Sequence, residues 1–228
     1  MTIIPVKTPE VVKSLFPNYV WNIETSEKVL YLTFDDGPTP EITEWVLDEL
    51  EMHNAKATFF CIGANIEKYP EIFQKVLKIG HRIGNHTQHH LKGWKFNTKD
   101  YLEDVKMAEG LLNSKFQKLN PKIHNKAIVN CKSPIVNLFR PPYGKIKRKQ
   151  GRKLIEMGYK IIMWDVLAFD WKKSVSPEEC MDNVLSKATN GSIIVFHDSV
   201  KASKNMQYAL PKVLAHFSAK GYKFEALE

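Results

Sequence analysis

An unbroken apolar stretch that ends in two acids constrains this sequence more than any other feature. Residues 29–34 read Val-Leu-Tyr-Leu-Thr-Phe, and Asp35, Asp36, Gly37 and Pro38 follow directly. Such a run predicts a strand that is covered on both faces, as in a parallel sheet. Because adjacent side chains of a strand point in different directions, the two carboxylates can take separate roles, such as metal ligand and proton acceptor. Asp-Gly-Pro alone is ordinary turn chemistry, so the buried strand before it is what favours a functional site.

The composition is that of an ordinary soluble globular protein. The chain has 228 residues, 25% charged and 43% hydrophobic, with no linker-like, repetitive or low-complexity stretch. This length and composition predict one large domain. No apolar run is long enough to span a membrane, and the first ten residues lack the apolar core of a signal peptide, which favours the cytoplasm. A periplasmic or secreted location would require a leader that has been trimmed from this sequence.

Charge and cysteine content disfavour some classes of function. The sequence has 33 Lys and Arg against 25 Asp and Glu, a formal net charge of +8. This charge suits an anionic polymer such as cell wall or nucleic acid, but a solvated basic surface is the plainer explanation and no nucleic-acid-binding motif is present. The three cysteines are widely spaced and form no CxxC pair. Their spacing argues against both a disulfide framework and a cysteine zinc site.

Strand and helix patterns alternate along the chain. Seven strands are predicted, at residues 29–34, 57–61, 81–85, 138–140, 160–164, 192–196 and 222–224. Helical spacing of apolar residues predicts helices at 41–52, 69–79, from 97 onward, 147–157, from 176 onward and 206–219. This alternation is typical of a parallel sheet, and polar residues follow five of the strands. Since strand ends converge on one face in a barrel but scatter in an open sheet, we predict an α/β fold: an irregular, distorted (β/α) barrel with about seven parallel strands.

The predicted barrel occupies residues 26–228 as a single domain. Residues 1–25 are expected to form an N-terminal lead-in that packs on the barrel. Residues 113–137 are polar, basic and interrupted by Pro121 and Pro134. Because they show no sustained apolar period, we expect them to form a surface excursion that contributes little to folding.

A histidine-rich turn follows the third predicted strand. His86 and His90 are separated by three residues, so both imidazoles can close on one ion. Together with one carboxylate of the Asp35–Asp36 pair they would give the ligand set of a catalytic zinc with open positions. His89 is a competing ligand in the same turn. A histidine-rich polar loop is at least as common an explanation for the spacing alone, and the double aspartate on the same rim favours the metal.

Three further polar residues lie at or beyond predicted strand ends. Arg140, which precedes two prolines, carries a permanently charged guanidinium group that is suited to binding a carboxylate. His197 closes a strongly apolar strand, where a lone histidine is usually a satisfied core group, but opposite a metal it becomes a candidate proton donor. Asp170 is either a cap near a helix or the partner that orients a histidine.

Together these residues resemble the motif series of the polysaccharide deacetylases, which are carbohydrate esterase family four with its NodB homology domain. The motifs are Thr33-Phe-Asp-Asp-Gly37, His86-Thr-Gln-His-His90, Arg140-Pro-Pro-Tyr-Gly144, Asp170-Trp171 and Val195-Phe-His197. Their order, spacing and strand placement fit over roughly residues 26–226, and a co-ordered series is far more specific than any single motif. The resemblance implies a distorted (β/α) barrel. It also implies a metal-dependent hydrolase that removes acetyl groups from N-acetylated sugars in chitin-like glycans or peptidoglycan.

The resemblance implies three metal ligands and a pocket for the acetyl group. A divalent metal, usually Zn²⁺ but also Co²⁺ or Ni²⁺, would be held by Asp36, His86 and His90. The small pocket would be lined by Trp171, Val195 and Pro142.

The resemblance also divides the chemistry among the remaining site residues. Asp35 would be the base that activates the attacking water, and Arg140 would pair with it. His197 would protonate the leaving sugar amine, with Asp170 setting its orientation and basicity. The metal and the backbone N–H of Tyr143 would stabilise the oxyanion.

Three features of the sequence depart from the family pattern. Leu167 stands where many members carry an acid, Val195 stands where the last motif often has Leu, and the excursion is longer than the usual connection. None of these removes a catalytic group.

One alternative function is that of a related metal-dependent amidase that acts on a non-sugar amide or imide. The other is a non-catalytic carbohydrate-binding barrel, which would be expected to have lost a ligand or the base.

Overall fold

A curled parallel sheet forms the centre of the protein in the computed structural model, which describes residues 5–119 and 135–228. The strands in these ranges are β1 (Tyr19–Val20), β2 (Val29–Asp35), β3 (Ala57–Cys61), β4 (Arg82–Asn85), β5 (Ile135–Phe139), β6 (Lys160–Ile162), β7 (Val166–Leu167), β8 (Ile193–His197) and β9 (Lys223–Phe224). Their order is β1-β6-β5-β4-β3-β2-β8-β7, all pairs are parallel, and β9 pairs with β2 beside this path. The eight-strand curl is a half-barrel, which confirms the predicted distorted (β/α) barrel in one domain.

Helices cover the outside of this sheet. In the described residues they are α1 (Glu10–Leu15), α2 (Ile42–Met52), α3 (Gly63–Lys68), α4 (Pro70–Lys78), α5 (Thr98–Leu119), α6 (Arg148–Glu156), α7 (Pro177–Leu185) and α8 (Ser203–Ala219). Two single-turn 3₁₀ helices, Gly93–Lys95 and Pro142–Gly144, lie in the connections. None of the described helices combines the length and the apolar character needed to cross a membrane.

The central strands are buried on both faces. Every residue of β3 is buried, and β2 and β8 each have a single residue that is not. Phe34 of β2 stacks on Phe59 of β3 and on Phe196 of β8, with ring centroids 5.1 and 6.2 Å apart. This two-sided burial is why these strands read as continuous apolar runs. The same packing fixes the register that places Asp35, the last residue of β2, beside His197, the last residue of β8.

The N-terminal segment fills the gap between the two edges of the curled sheet. At one edge β1 pairs with β6, and at the other Lys7 forms an antiparallel bridge with Val166 of β7. Buried Asp165 accepts hydrogen bonds from Lys13 Nζ at 2.9 Å and from Ser192 Oγ at 2.6 Å. The segment that was expected to pack on the barrel therefore contributes to its wall.

The structure differs from the sequence prediction at short elements and at the end of one helix. β1, β7 and α3 have two, two and six residues, too few to show a periodic pattern. α5 continues to Leu119, with Leu112 and Phe116 extending its buried face. Because β5 begins at Ile135, both ends of the expected excursion at 113–137 belong to regular elements. The rest of that prediction lies outside the described residues.

Candidate active site

The carboxyl ends of β2, β4, β5 and β8 meet around a cavity of about 330 Å³. Most of the predicted site residues contribute to its lining: Asp35, Asp36, His86, His90, Tyr143, Trp171, Val195 and His197. Arg140 and Asp170 are buried behind this lining, where each contacts one of the lining residues. The barrel therefore brings together side chains from five separated stretches of sequence.

Asp36, His86 and His90 form a cluster at this rim. Asp36 Oδ1 lies 3.2 Å from His90 Nε2 and 3.7 Å from His86 Nε2. One ligand atom from each residue lies within 4.8 Å of the others. Asp36 and His90 both adopt a positive φ, of 82° and 55°, so the backbone is held in an uncommon conformation at two of the three positions. Such local strain is typical of functional sites.

The chemistry of this cluster fits a divalent metal. Asp36 Oδ1 is buried and accepts no hydrogen bond of acceptable geometry from the described residues. His86 Nδ1 lies 2.8 Å from the backbone carbonyl oxygen of Arg140, and donation to that oxygen leaves the lone pair of Nε2 facing Asp36. A buried acceptor without a donor, beside two imidazole nitrogens, is what a bound cation would satisfy.

The protonation states also suit metal binding. Burial lowers the pKa of His86 to about 4, so the imidazole is neutral near pH 7, as a metal ligand must be. Burial opposes the ionisation of Asp36, but the imidazoles of His90, His197 and His86 outweigh it and hold the pKa of this carboxyl well below its usual range. The cluster therefore presents one carboxylate and at least one neutral imidazole.

His89, the competing ligand of the turn, lies outside the cluster. Its Nδ1 is 2.6 Å from Asp104 Oδ1, and about half of its side chain is exposed. Asp104 Oδ2 also accepts the backbone N–H groups of Gln88 and His89. Asp104 belongs to α5 and holds the histidine turn in place, a role that the sequence patterns did not indicate.

Arg140 holds Asp35 through a fully buried network. Its Nη1 donates to Asp35 Oδ1 at 2.8 Å and to Thr33 Oγ1 at 2.7 Å. Its Nη2 and Nε donate to the carbonyl oxygens of Met163 and Ile162 at 2.8 and 3.2 Å. Each bond fixes the guanidinium, so Asp35 is kept beside a permanent positive charge in one orientation.

Asp170 holds His197 through two contacts. Asp170 Oδ1 lies 2.9 Å from His197 Nδ1, and Asp170 Oδ2 accepts the His197 backbone N–H at 2.6 Å. Burial alone would lower the pKa of His197, but the charges of Asp170, Asp36 and Asp35 raise it to about 9. Because Nδ1 faces Asp170, Nε2 is the nitrogen that can donate to a bound substrate.

One wall of the cavity is apolar. Leu167 and Val195 belong to a buried apolar cluster against which Trp171 packs, and all three residues line the cavity. Leu167 therefore places a hydrocarbon surface where an acid would have added charge. Pro142, which was expected to line the pocket, is buried outside the cavity lining, and Pro141 contributes instead.

Asp198 ties the ends of β2 and β8 together. Its Oδ1 accepts the Gly37 N–H at 3.0 Å, and its Oδ2 lies 2.5 Å from the Thr43 hydroxyl. Its own N–H donates to the carbonyl of Asp35. A Cβ at Gly37 would overlap the Asp198 carboxylate, so the turn after β2 requires glycine there. The position of Asp198 directly after His197 was the only sequence signal for this contact.

Comparison with known proteins identifies relatives that match most of this chain. The peptidoglycan-N-acetylglucosamine deacetylase of Bacillus cereus is 36% identical over 197 residues, which are 86% of this chain and 66% of that protein. The peptidoglycan-N-acetylmuramic acid deacetylase PdaC of Bacillus subtilis is 29% identical over 201 residues, which are 88% of this chain and 38% of that protein. The chain thus spans only part of each of these two relatives.

A solved structure and a family model extend the comparison. The peptidoglycan N-acetylglucosamine deacetylase Bc1960, in complex with 4-naphthalen-1-yl-N-oxidanyl-benzamide, superimposes with a TM-score of 0.81 and 32% identity, covering 96% of this chain and 95% of that chain. The family model described as "Polysaccharide deacetylase" matches residues 22–162. This match includes the turns that carry Asp36, His86 and Arg140 and ends before His197. The chain belongs to the polysaccharide deacetylase family.

Proposed function

We propose that this protein is a metal-dependent deacetylase that releases acetate from N-acetylated sugars of a glycan, with peptidoglycan as the favoured glycan. The observation that carries the proposal is the convergence of three elements on one cavity. These are a ligand cluster with an unsatisfied carboxylate oxygen, a carboxylate fixed by a buried arginine and a histidine fixed by a buried aspartate. The peptidoglycan deacetylases among the relatives support the choice of glycan.

Asp36, His86 and His90 would hold the divalent metal, with Zn²⁺ as the favoured ion. A metal in such a site supplies a Lewis acid that polarises a carbonyl oxygen and lowers the pKa of water. Near neutral pH, Asp36 is ionised and His86 is neutral, so both are ready to bind the ion.

The remaining residues divide the proton transfers of amide hydrolysis. Asp35 is placed to take a proton from the attacking water, and its contact with Arg140 keeps its orientation fixed. As the new C–O bond forms and the C–N bond breaks, His197 donates the Nε2 proton to the departing amine nitrogen. Asp170 holds the ring of His197 and keeps it protonated at neutral pH. The products are acetate and the free sugar amine.

The apolar wall and the backbone at Tyr143 complete the proposed site. Leu167, Trp171 and Val195 offer the methyl group of the acetyl a hydrocarbon surface. Tyr143 adopts a positive φ of 59° between two buried prolines and Gly144, and we propose that its backbone N–H stabilises the oxyanion. No ligand or base of the family pattern is absent from the cavity, which disfavours a non-catalytic barrel. Cytoplasmic localisation stays a prediction.

Acetate release tests this proposal directly. The protein would be incubated with chito-oligosaccharides, peptidoglycan fragments, an O-acetylated sugar and a non-sugar amide, before and after treatment with a chelator and re-addition of Zn²⁺. We expect acetate from the N-acetylated glycans, loss of turnover with the chelator and recovery with the metal. Hydrolysis of the non-sugar amide alone, or turnover that resists complete metal removal, would contradict the proposal.

A further inference from the structure

A second cavity of about 300 Å³ adjoins the catalytic cavity. The two share four lining residues, Tyr143, Gly144, Lys145 and Trp164. The second cavity is bordered by two of the most exposed large aromatic side chains of the described chain, Trp94 and Tyr143, which are 55% and 59% exposed. An exposed aromatic surface that continues from a catalytic cavity is a common feature of ligand sites.

Trp94 is held rigidly although its ring is exposed. Its indole N–H donates to the carbonyl of Ile146 at 3.0 Å. The turn that carries it is anchored by buried Gln150, which donates to the carbonyl of Gly93 at 3.0 Å. A Cβ at Gly93 would overlap the backbone carbonyl of Lys145, so the turn packs directly on that segment. The fold therefore fixes the position of an aromatic ring that it leaves about half exposed.

Two lysines accompany these aromatic rings. Lys145 Nζ lies 4.3 Å from the centroid of the Trp94 ring, and Lys92 Nζ lies 5.9 Å from that of Tyr143. Within the described ranges, neither ammonium is paired with a carboxylate. Both can therefore pair with an anionic group of a ligand that rests on the rings.

We propose that Trp94, Tyr143, Lys145 and Lys92 form a subsite for the sugar next to the reacting one, and that this neighbouring sugar carries a carboxylate. The inference rests on the proposed function and narrows its substrate class. The C–H face of a pyranose ring packs on the exposed indole, and the carboxylate pairs with the two ammonium groups. A glycan with muramic acid, which bears a lactyl carboxylate or a stem peptide, has this chemistry, whereas neutral chitin does not.

Further lysines line a third cavity that adjoins the catalytic cavity. Lys201 lines the catalytic cavity and also a neighbouring cavity of about 520 Å³, which includes Lys172, Lys173 and Lys204 in its lining. An anionic glycan that extended from the catalytic cavity into either neighbouring cavity would thus meet lysines. The net charge of +8 agrees with a polyanionic partner.

Binding measurements test the subsite independently of turnover. The protein would be used with its metal and with the Asp35→Asn substitution, which blocks hydrolysis. Calorimetry would compare chitotetraose with a tetrasaccharide of alternating N-acetylglucosamine and N-acetylmuramic acid. We expect Trp94→Ala to weaken binding of both glycans by about tenfold, in line with the loss of an aromatic contact. We expect Lys145→Gln to weaken only the carboxylated glycan, by roughly threefold, as for an exposed ion pair.

Two control variants distinguish a direct contact with the glycan from a role in holding the loop in place. Lys95→Gln removes a charge from the same turn outside both cavity linings, and it should change neither affinity. Trp94→Phe keeps an aromatic ring without the indole N–H, and it should bind within about threefold of the parent. Equal damage by Trp94→Phe and Trp94→Ala would show that Trp94 only anchors the loop, and would overturn the proposal.

The remaining outcomes are equally decisive. Unchanged affinity in Trp94→Ala, an equal effect of Lys145→Gln on both glycans, or no binding of either glycan by the parent protein would overturn the proposal. If the glycans bind as expected but no acetate is released by the unsubstituted protein, the proposed function fails while the subsite stands.

Discussion

The two halves of the candidate active site differ in how their polar atoms are satisfied. In the ligand half, formed by Asp36, His86 and His90, a buried carboxylate oxygen of Asp36 accepts no hydrogen bond of acceptable geometry from the part of the chain that the structure describes. In the proton-transfer half, formed by the pairs Asp35–Arg140 and Asp170–His197, the protein itself supplies a charged partner for each carboxylate. A bound cation would satisfy the free oxygen of the ligand half, whereas the carboxylates of the proton-transfer half already have charged partners in the protein.

The largest expected effect comes from breaking the proton-transfer half alone. Asp35→Asn removes the proposed base but keeps the shape of the side chain, and Asp36 and the histidines are untouched. We expect acetate release to fall by about 10²–10⁴-fold, the usual contribution of a general base. Metal content measured by mass spectrometry should stay at the level of the unsubstituted protein. Substantial residual activity, or loss of the metal, would mean that the two halves are not separable in this way.

The next largest effect is expected on the free energy of unfolding, from the Asp35–Arg140 pair of the proton-transfer half. Arg140→Met leaves Asp35 buried beside a neutral side chain, and three further hydrogen bonds are lost. Removing one partner of a buried pair typically costs about 3–5 kcal/mol of the free energy of unfolding. Urea unfolding would measure this, with Arg148→Met as the control, because Arg148 is exposed and should contribute less than about 1 kcal/mol. Equal losses in the two variants would contradict the importance of the buried network.

A smaller effect is expected on the pH dependence of turnover. Asp170 is the main partner that raises the pKa of His197 against the effect of burial. Asp170→Asn removes that charge, so His197 should lose its proton at lower pH and the alkaline limb of the pH–rate profile should move to lower pH. Glu51→Gln, at an exposed position of α2, is the charge-matched control and should leave the limb in place. An unmoved limb in an Asp170→Asn protein that still turns over would contradict the assignment of His197 as the acid.

The smallest effect comes from a buried histidine outside both halves. His81 Nδ1 accepts the Ala57 N–H, and burial, together with Lys56, lowers the pKa of His81 to about 4. The unfolded chain binds a proton near pH 6.5 and the folded chain does not, so stability is lost as the pH falls from about 6.5 towards 4. Between pH 7 and pH 5, the free energy of unfolding of the unsubstituted protein should fall by about 2 kcal/mol more than that of His81→Gln. Identical losses would show that His81 does not remain neutral in the fold.

The predictable part of the site consists of residues at the ends of long buried strands. Asp35, Asp36 and His197 could be found because each ends or directly follows an apolar run, and the barrel places those ends on one rim. The pairing of Asp35 with Arg140 came from the family resemblance, and the structure shows it as a contact of 2.8 Å.

The unpredictable part consists of contacts between distant segments and of very short elements. Asp104 supports the histidine turn from the middle of α5, and nothing in the periodicity of a helix marks one polar residue as an acceptor for a turn elsewhere. β1 and β7 have two residues each, and they are strands only because β6 and β8 pair with them. Such features depend on tertiary contacts that a linear pattern does not contain.

Metal stoichiometry in two histidine variants tests the assignment of the metal ligands. His86 and His89 lie in the same turn, but only His86 faces Asp36, whereas His89 faces Asp104. Proteins would be stripped with a chelator, reloaded with Zn²⁺, and analysed by mass spectrometry, with circular dichroism to confirm folding. We expect about one ion per chain in the unsubstituted protein and in His89→Ala, and almost none in folded His86→Ala. Full occupancy in His86→Ala, or loss of the ion in folded His89→Ala, would contradict the ligand assignment.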